Sequence, residues 1–169
     1  AQILRQKGLS KVATLEDREN NQGAVAVATS GNVASMVELK SETDFSAKAD
    51  DFVALTQRLA DAVLADGEGA VDALKEDLDS LKIAKRENIE LGQVVRFEAA
   101  DGNVIDSYIH RQDGRGVLGV IVELTGGGTV ELAHDIAVHI AFSKPKYLTN
   151  DEVPESEVAA ERETLTAIT

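Results

Sequence analysis

The chain has 169 residues, enough for one ordinary domain or two small ones, and 43% of them are hydrophobic, enough to build a core. Its 17 basic and 30 acidic residues leave a net charge of −13, a surface that repels phosphate backbones and argues against nucleic acid or an anionic membrane as partner. There is no cysteine, which excludes disulfides, thiolate nucleophiles and cysteine metal sites, and with no Trp and only 4% aromatic residues the core must be aliphatic.

No apolar run approaches the roughly 20 residues of a membrane span. The start, Ala1-Gln2-Ile3-Leu4-Arg5, has no signal-peptide core, and a cytoplasmic protein is the expectation. The chain begins without Met and ends inside a helical pattern at Ile168-Thr169, which reads as a piece of a longer protein.

In chain order, Ile3, Leu4, Leu9, Val12 and Leu15 make a short amphipathic opening, broken at Gly8 and followed by a polar linker from Asp17 to Gln22. Residues 24–39 read as a hairpin: Val25 and Val27 alternate with Ala26 and Ala28, Ser30-Gly31-Asn32 turns, and Val33 to Leu39 returns. A strand-to-helix loop, Ser41 to Lys48, follows. Phe52, Leu55, Leu59, Ala62 and Val63 then recur at helical spacing, predicting a helix from near Asp50 to Ala65. Asp66-Gly67-Glu68-Gly69 ends it, and the stripe Val71, Leu74, Leu78, Leu81 predicts a second helix over 70–85 with a solvated charged face. Three strands come next: Val94–Glu98, Val104–His110 after the Asp101-Gly102 turn, and Val117–Leu124 after Asp113-Gly114-Arg115-Gly116. The last is nearly unbroken apolar, which predicts a central, covered strand. Gly126-Gly127-Gly128-Thr129 leads into a helix over 130–142 with the stripe Ala133, Ile136, Ala137, Ile140, stopped at Lys144-Pro145. A final helix starts near Pro154 and carries Val158, Leu165 and Ile168. Val37-Glu38-Leu39 recurs as Val122-Glu123-Leu124, each after a hairpin and before a helix, so two related halves are expected. The fold class expected is α+β, with two similar subdomains, each an antiparallel sheet packed with helices.

Three features are candidate sites. Phe45 is one of four Phe, set among Thr43, Asp44, Ser46 and Lys48. Such a ring either folds back to staple the helix start onto the sheet or stands out as an anchor for a partner's pocket, with Asp44 beside it. The triple glycine ahead of a helix has the form of a phosphate cradle. No Gly-Lys-Ser/Thr follows, however, and Glu131 in the first helical turn would repel a phosphate. His134 and His139 are five residues apart, about 140° around a helix, so they do not share a face as metal ligands, and His110 is distant. Local hydrogen bonds are the expectation for all three. No nucleophile–base spacing stands out and the carboxylates form no compact signature, so the expectation is no enzyme, no metal and no cofactor.

Several blocks carry a resemblance to a known family. VELKSETDFSAKADDF resembles the TDFVAKN signature of the bacterial elongation factor Ts family, with Ser46 in place of the usual Val and Ala49-Asp50 where Asn is usual. DSYIHRQDGRGVLGVIVEL resembles its GSYIH…GRIGVLVEL block, and AHDIAVHIAFSKPKYL its AxxIAMHIAAxxPxYL block. ENIELGQVVRFE resembles GENIxxRRFxxxE, with Arg86 in place of Gly, and the opening resembles the family's LRxKGLxKA linker. The blocks keep the family's order over roughly residues 1–163.

The resemblance implies a two-subdomain core: 1–22 as the tail of an N-terminal helical module, 23–88 as one subdomain and 89–169 as a second, incomplete at its end. It implies a guanine-nucleotide exchange factor whose partner is elongation factor Tu, GDP-bound or nucleotide-free. The partner-binding positions it implies are Thr43, Asp44 and Phe45 together with His110, Leu118, Gly119 and His139. It favours the anchor reading of Phe45. The alternatives are an acidic protein-interaction scaffold and an enzyme using the Gly126–Gly128 loop on a phosphate ligand.

Overall fold

The computed structural model describes residues 14–168, and the amphipathic opening up to Val12 lies outside them. β1 (Gln22–Ser30) and β2 (Val33–Ser41) form a hairpin in continuous antiparallel register, from Ser30 opposite Val33 to Gln22 opposite Ser41. α1 (Asp44–Lys48) and α2 (Asp50–Asp66) follow, then a 3₁₀ stretch (Glu68–Leu74) running into α3 (Lys75–Lys85). β3 (Glu90–Glu98), β4 (Val104–Gln112) and β5 (Arg115–Leu124) come next, then α4 (Val130–Ser143), a 3₁₀ turn (Asn150–Glu152) and α5 (Glu155–Ile168).

The fold is α+β, as the sequence implies. The five strands among the described residues form one antiparallel sheet in the order β3-β2-β1-β5-β4. β3 therefore pairs with β2, on the side of the first hairpin, and β4 with β5. In the ladder the two parts of the sheet join at Val25 opposite Gly116, and they pack together through Ala34, Ala99, Ile105 and Ile121. A Cβ on Gly116 would run into the Val25 carbonyl and the Ile109 side chain, so only glycine lets β5 come this close to β1. Arg115 clamps the junction by donating from a guanidinium NH₂ to the Gly23 carbonyl at 2.8 Å.

Alternation decides which face each part buries. Ala24, Ala26, Val37 and Leu39 face α2, whose Phe52, Leu55, Leu59, Ala60 and Val63 complete the main core with Leu81 and Ile89. The small residues on β1 allow Phe52 to lie close to the strand, fully buried. Ser35 sits in this interior only because its hydroxyl donates to the Ala60 carbonyl at 2.7 Å. A second cluster joins Val122, Ala133 and Ala137 to Val104, Val120, Ile136 and Ile140, seating α4 on β4 and β5. Asp106 and His134 pin that contact at 2.9 Å.

Three elements differ from the sequence reading. The predicted loop at 43–45 is the start of a helix, because Thr43 accepts the Ser46 N–H and Asp44 occupies the first turn. The predicted helix over 70–85 is divided: its first part winds as 3₁₀, where residues three apart align, so Val71 and Leu74 still share the face turned to the core. β5 is central, between β1 and β4, with α4 on one face and the first hairpin packed on the other at Gly119 and Ile121, but most of it is only half-buried.

Candidate functional site

The turn from β2 into α1 is held by a residue from elsewhere in the chain. Glu87 follows α3, and its carboxylate accepts from both hydroxyls of the turn, Thr43 and Ser46, at 2.7 Å each. It also accepts the backbone N–H groups of Glu42 and Thr43 at 3.2 Å. Burial pushes the Glu87 carboxyl up, but the hydroxyl and amide donors outweigh it and leave the group below its ordinary value. Glu42 replies by accepting the Asn88 N–H at 2.7 Å and pairing with Arg18 at 2.6 Å. The Ser41 hydroxyl donates to the Thr43 carbonyl at 2.9 Å, closing the strand end onto the helix start.

Glu87 can reach this turn because α3 stops sharply. Arg86 takes a left-handed conformation, φ 57° and ψ 36°, and its N–H closes on the Lys82 carbonyl. This is the position where the family pattern has glycine, which adopts such angles without strain.

On this framework Phe45 points out. It is 81% exposed, so it does not staple the helix to the sheet; the polar bonds of Thr43 and Glu87 do that. Asp44 pairs with Lys48 at 2.8 Å, one turn along α1, and the Lys48 ammonium holds its carboxyl below the ordinary value. The same ammonium lies 5.7 Å from the centre of the Phe45 ring and 3.7 Å from Asp113, at the tip of the β4–β5 hairpin.

The remaining implied positions lie on the second hairpin and α4. His110 and Leu118 are directly opposite each other across β4 and β5. They line a groove of about 500 Å³ with Tyr108, Val117 and Phe142. The His110 ring meets Phe142 edge-on, with centroids 6.2 Å apart, and Phe142 is 71% exposed. His139 is exposed one turn earlier on α4, with Nε2 3.3 Å from the Ser143 hydroxyl. Gly119 is turned elsewhere: a Cβ there would press on the Met36 sulfur and the Val25 and Val27 methyls, so its place is in the contact with the first hairpin.

The structure thus gathers Thr43, Asp44 and Phe45 at one place and His110 and Leu118 at another, with His139 one helical turn from the Phe142 edge of the second. Glu87 and Phe142 were missed from sequence. Glu87 stands in the ENI block, and a carboxylate between a helix end and a strand was its only signal. Phe142 stands outside the helical stripe, which marks an outward position.

The glycine loop is a strand-to-helix turn. Gly126 and Gly127 have φ of 78° and 88°, and the Thr129 hydroxyl already accepts the Leu132 N–H at 3.1 Å. The histidines make the local contacts described, His110 with the Tyr108 hydroxyl at 3.4 Å. Among the described residues no group of three or more His, Asp or Glu is arranged to hold a metal ion. No described helix is long and apolar enough to cross a membrane.

Residues 42–169 match the family model described as Elongation factor TS. The chain is 37% identical to the elongation factor Ts of Deinococcus radiodurans over 97% of its own length and 63% of that protein's. It is 35% identical to that of Deinococcus deserti, with the same shares covered, and 38% identical to that of Xanthomonas oryzae pv. oryzae over 96% of this chain and 57% of that protein. It therefore spans somewhat under two thirds of these relatives. With both the Thr43–Phe45 turn and the His110 hairpin inside the matched region, the chain belongs to the elongation factor Ts family.

Proposed function

We propose that this chain acts in translation elongation, in the cytoplasm, as a non-enzymatic exchange factor that binds elongation factor Tu and speeds its release of GDP. Family membership supports the partner. The observation that carries the reading is Phe45, an 81% exposed ring on a helix whose first turn is fixed by Thr43 and Glu87. A large ring held outward on rigid backbone enters a pocket with little ordering cost, and burying it contributes up to about 3 kcal/mol, the scale of an interface hot spot.

In this reading Phe45 enters between helices of the partner's GTP-binding domain. The α1 backbone and Asp44 follow it toward the Mg²⁺ and β-phosphate site. Displacing the metal leaves the phosphate charge uncompensated, and GDP leaves faster. His110, Leu118 and His139 grip the same partner from the second hairpin and α4, with Gly119 shaping that hairpin. Coupling is reciprocal: whatever factor this chain takes from GDP affinity, GDP takes from its own. Returning nucleotide therefore displaces it, as exchange catalysis requires.

The test is release of fluorescent GDP from elongation factor Tu, with the parent chain or its Asp44→Ala/Phe45→Ala variant added. Acceleration by the parent and little by the variant is expected. Equal acceleration by both would move the active surface to the second hairpin. Binding without acceleration, by parent and variant alike, would leave an acidic scaffold and refute the exchange reading.

A further inference from the structure

We infer that Asp113, at the tip of the second hairpin, is a positioning residue for Phe45, acting through Lys48. The inference deepens the exchange reading and rests on it for its functional arm. Lys48 is the joint. Its ammonium contacts Asp44 at 2.8 Å within α1 and Asp113 at 3.7 Å across the two halves of the sheet. It also lies 5.7 Å from the Phe45 ring centre, within the range of a cation–π contact. The surface against which the ring rests is therefore a cation shared with the other hairpin.

The tip is well placed to hold that cation still. Gln112 faces Arg115 across a two-residue turn in which Asp113 and Gly114 both have positive φ, 53° and 78°. Asp-Gly is favoured in such turns for backbone reasons alone. Asn serves the turn equally well, so the charge of Asp113 is separable from its conformation. The next residue, Arg115, is bonded to Gly23 on β1, which fixes the tip against the first hairpin. The charged groups around Lys48 are thus Asp44, Asp113 and the Arg115 guanidinium, which favours the neutral form of Lys48 while the two carboxylates favour the charged one. Lys48 and Asp113 are partly exposed, so the pair contributes little to stability. Its effect falls on the orientation of the ring.

The experiment uses Asp113→Asn, Lys48→Met and the double variant of the full chain. The Phe45 ring resonances and the amide exchange of residues 45–48 are recorded for the free protein. GDP release from elongation factor Tu is measured at low and high salt, about 0.05 M and 0.5 M. Expected are an unchanged unfolding midpoint, a shifted Phe45 ring resonance in Asp113→Asn, and GDP release slowed about threefold at low salt and less at high salt. In the Lys48→Met background Asp113→Asn should change nothing further. Equal effects of Asp113→Asn with and without Lys48, or an unmoved ring resonance, overturn the inference while leaving the exchange reading intact. If the parent does not accelerate GDP release, the exchange reading fails and the ring resonance alone decides whether Asp113 positions Phe45.

Discussion

Replacing Glu87 by Ala removes the acceptor that holds the β2–α1 turn. Two hydroxyl bonds of 2.7 Å and two amide bonds of 3.2 Å are lost at once. Hydrogen bonds to a charged acceptor contribute about 1.5–3 kcal/mol each when shielded and far less where water can substitute. Thr43 is exposed and rehydrates, whereas Ser46 is 7% exposed and does not. The sum is a loss of about 2–3 kcal/mol, or roughly 4–12 °C in Tm for a chain of this size. Urea unfolding at neutral pH measures it, with amide exchange at 42–46 reporting whether the loss is local.

The pH dependence gives a second check. The folded Glu87 carboxyl lies below its ordinary value of 4.5. Its stabilising contribution is therefore complete above that value and declines as pH falls through the lower folded one. The gap between parent and variant should narrow in acid. A neutral-pH difference under about 0.5 kcal/mol, or a gap that does not narrow in acid, would refute the claim that this carboxylate holds the turn.

Further outcomes follow from single contacts. Phe45→Ala should shift stability by no more than about 0.5 kcal/mol, because the ring is 81% exposed, yet slow GDP release strongly; urea unfolding beside the release assay separates the two. Arg86→Gly should raise stability by about 0.5–1 kcal/mol in urea unfolding, since φ of 57° is strained for arginine and not for glycine. Gly116→Ala should lower it by about 2–3 kcal/mol, because the new methyl meets the Val25 carbonyl, which cannot move without opening the junction. Phe142→Ser should leave the unfolding midpoint nearly unchanged while its His110 neighbour shows an altered imidazole resonance.

Most secondary structure was legible in the chain because local pattern determines it. The alternation around Ala24 and Val37 and the helical stripe through Phe52 and Val63 announce one buried face each, and both elements form as read. α1 escaped because five residues are too few to show a period, although Thr43 followed by Asp44 is a helix-start signal. The order of the strands was not legible. Nothing local tells β3 to pair with β2 at Val94 opposite Val37; that choice follows from two apolar faces meeting in three dimensions. The Phe45 turn was found as a motif, but its support was not, because Glu87 lies 44 residues from Thr43 and its four bonds exist only once the chain has folded.

The meeting of β1 and β5 at one ladder pair also leaves most of the hold between the two parts of the sheet to side chains. A sheet bonded along its length resists shear by breaking many hydrogen bonds together, whereas this junction has few to break and resists through the packing of Ala34, Ala99, Ile105 and Ile121 and of Met36, Val25 and Val27 over Gly119. A body that grasped Phe45 on one side and the Phe142 groove on the other would load that packing.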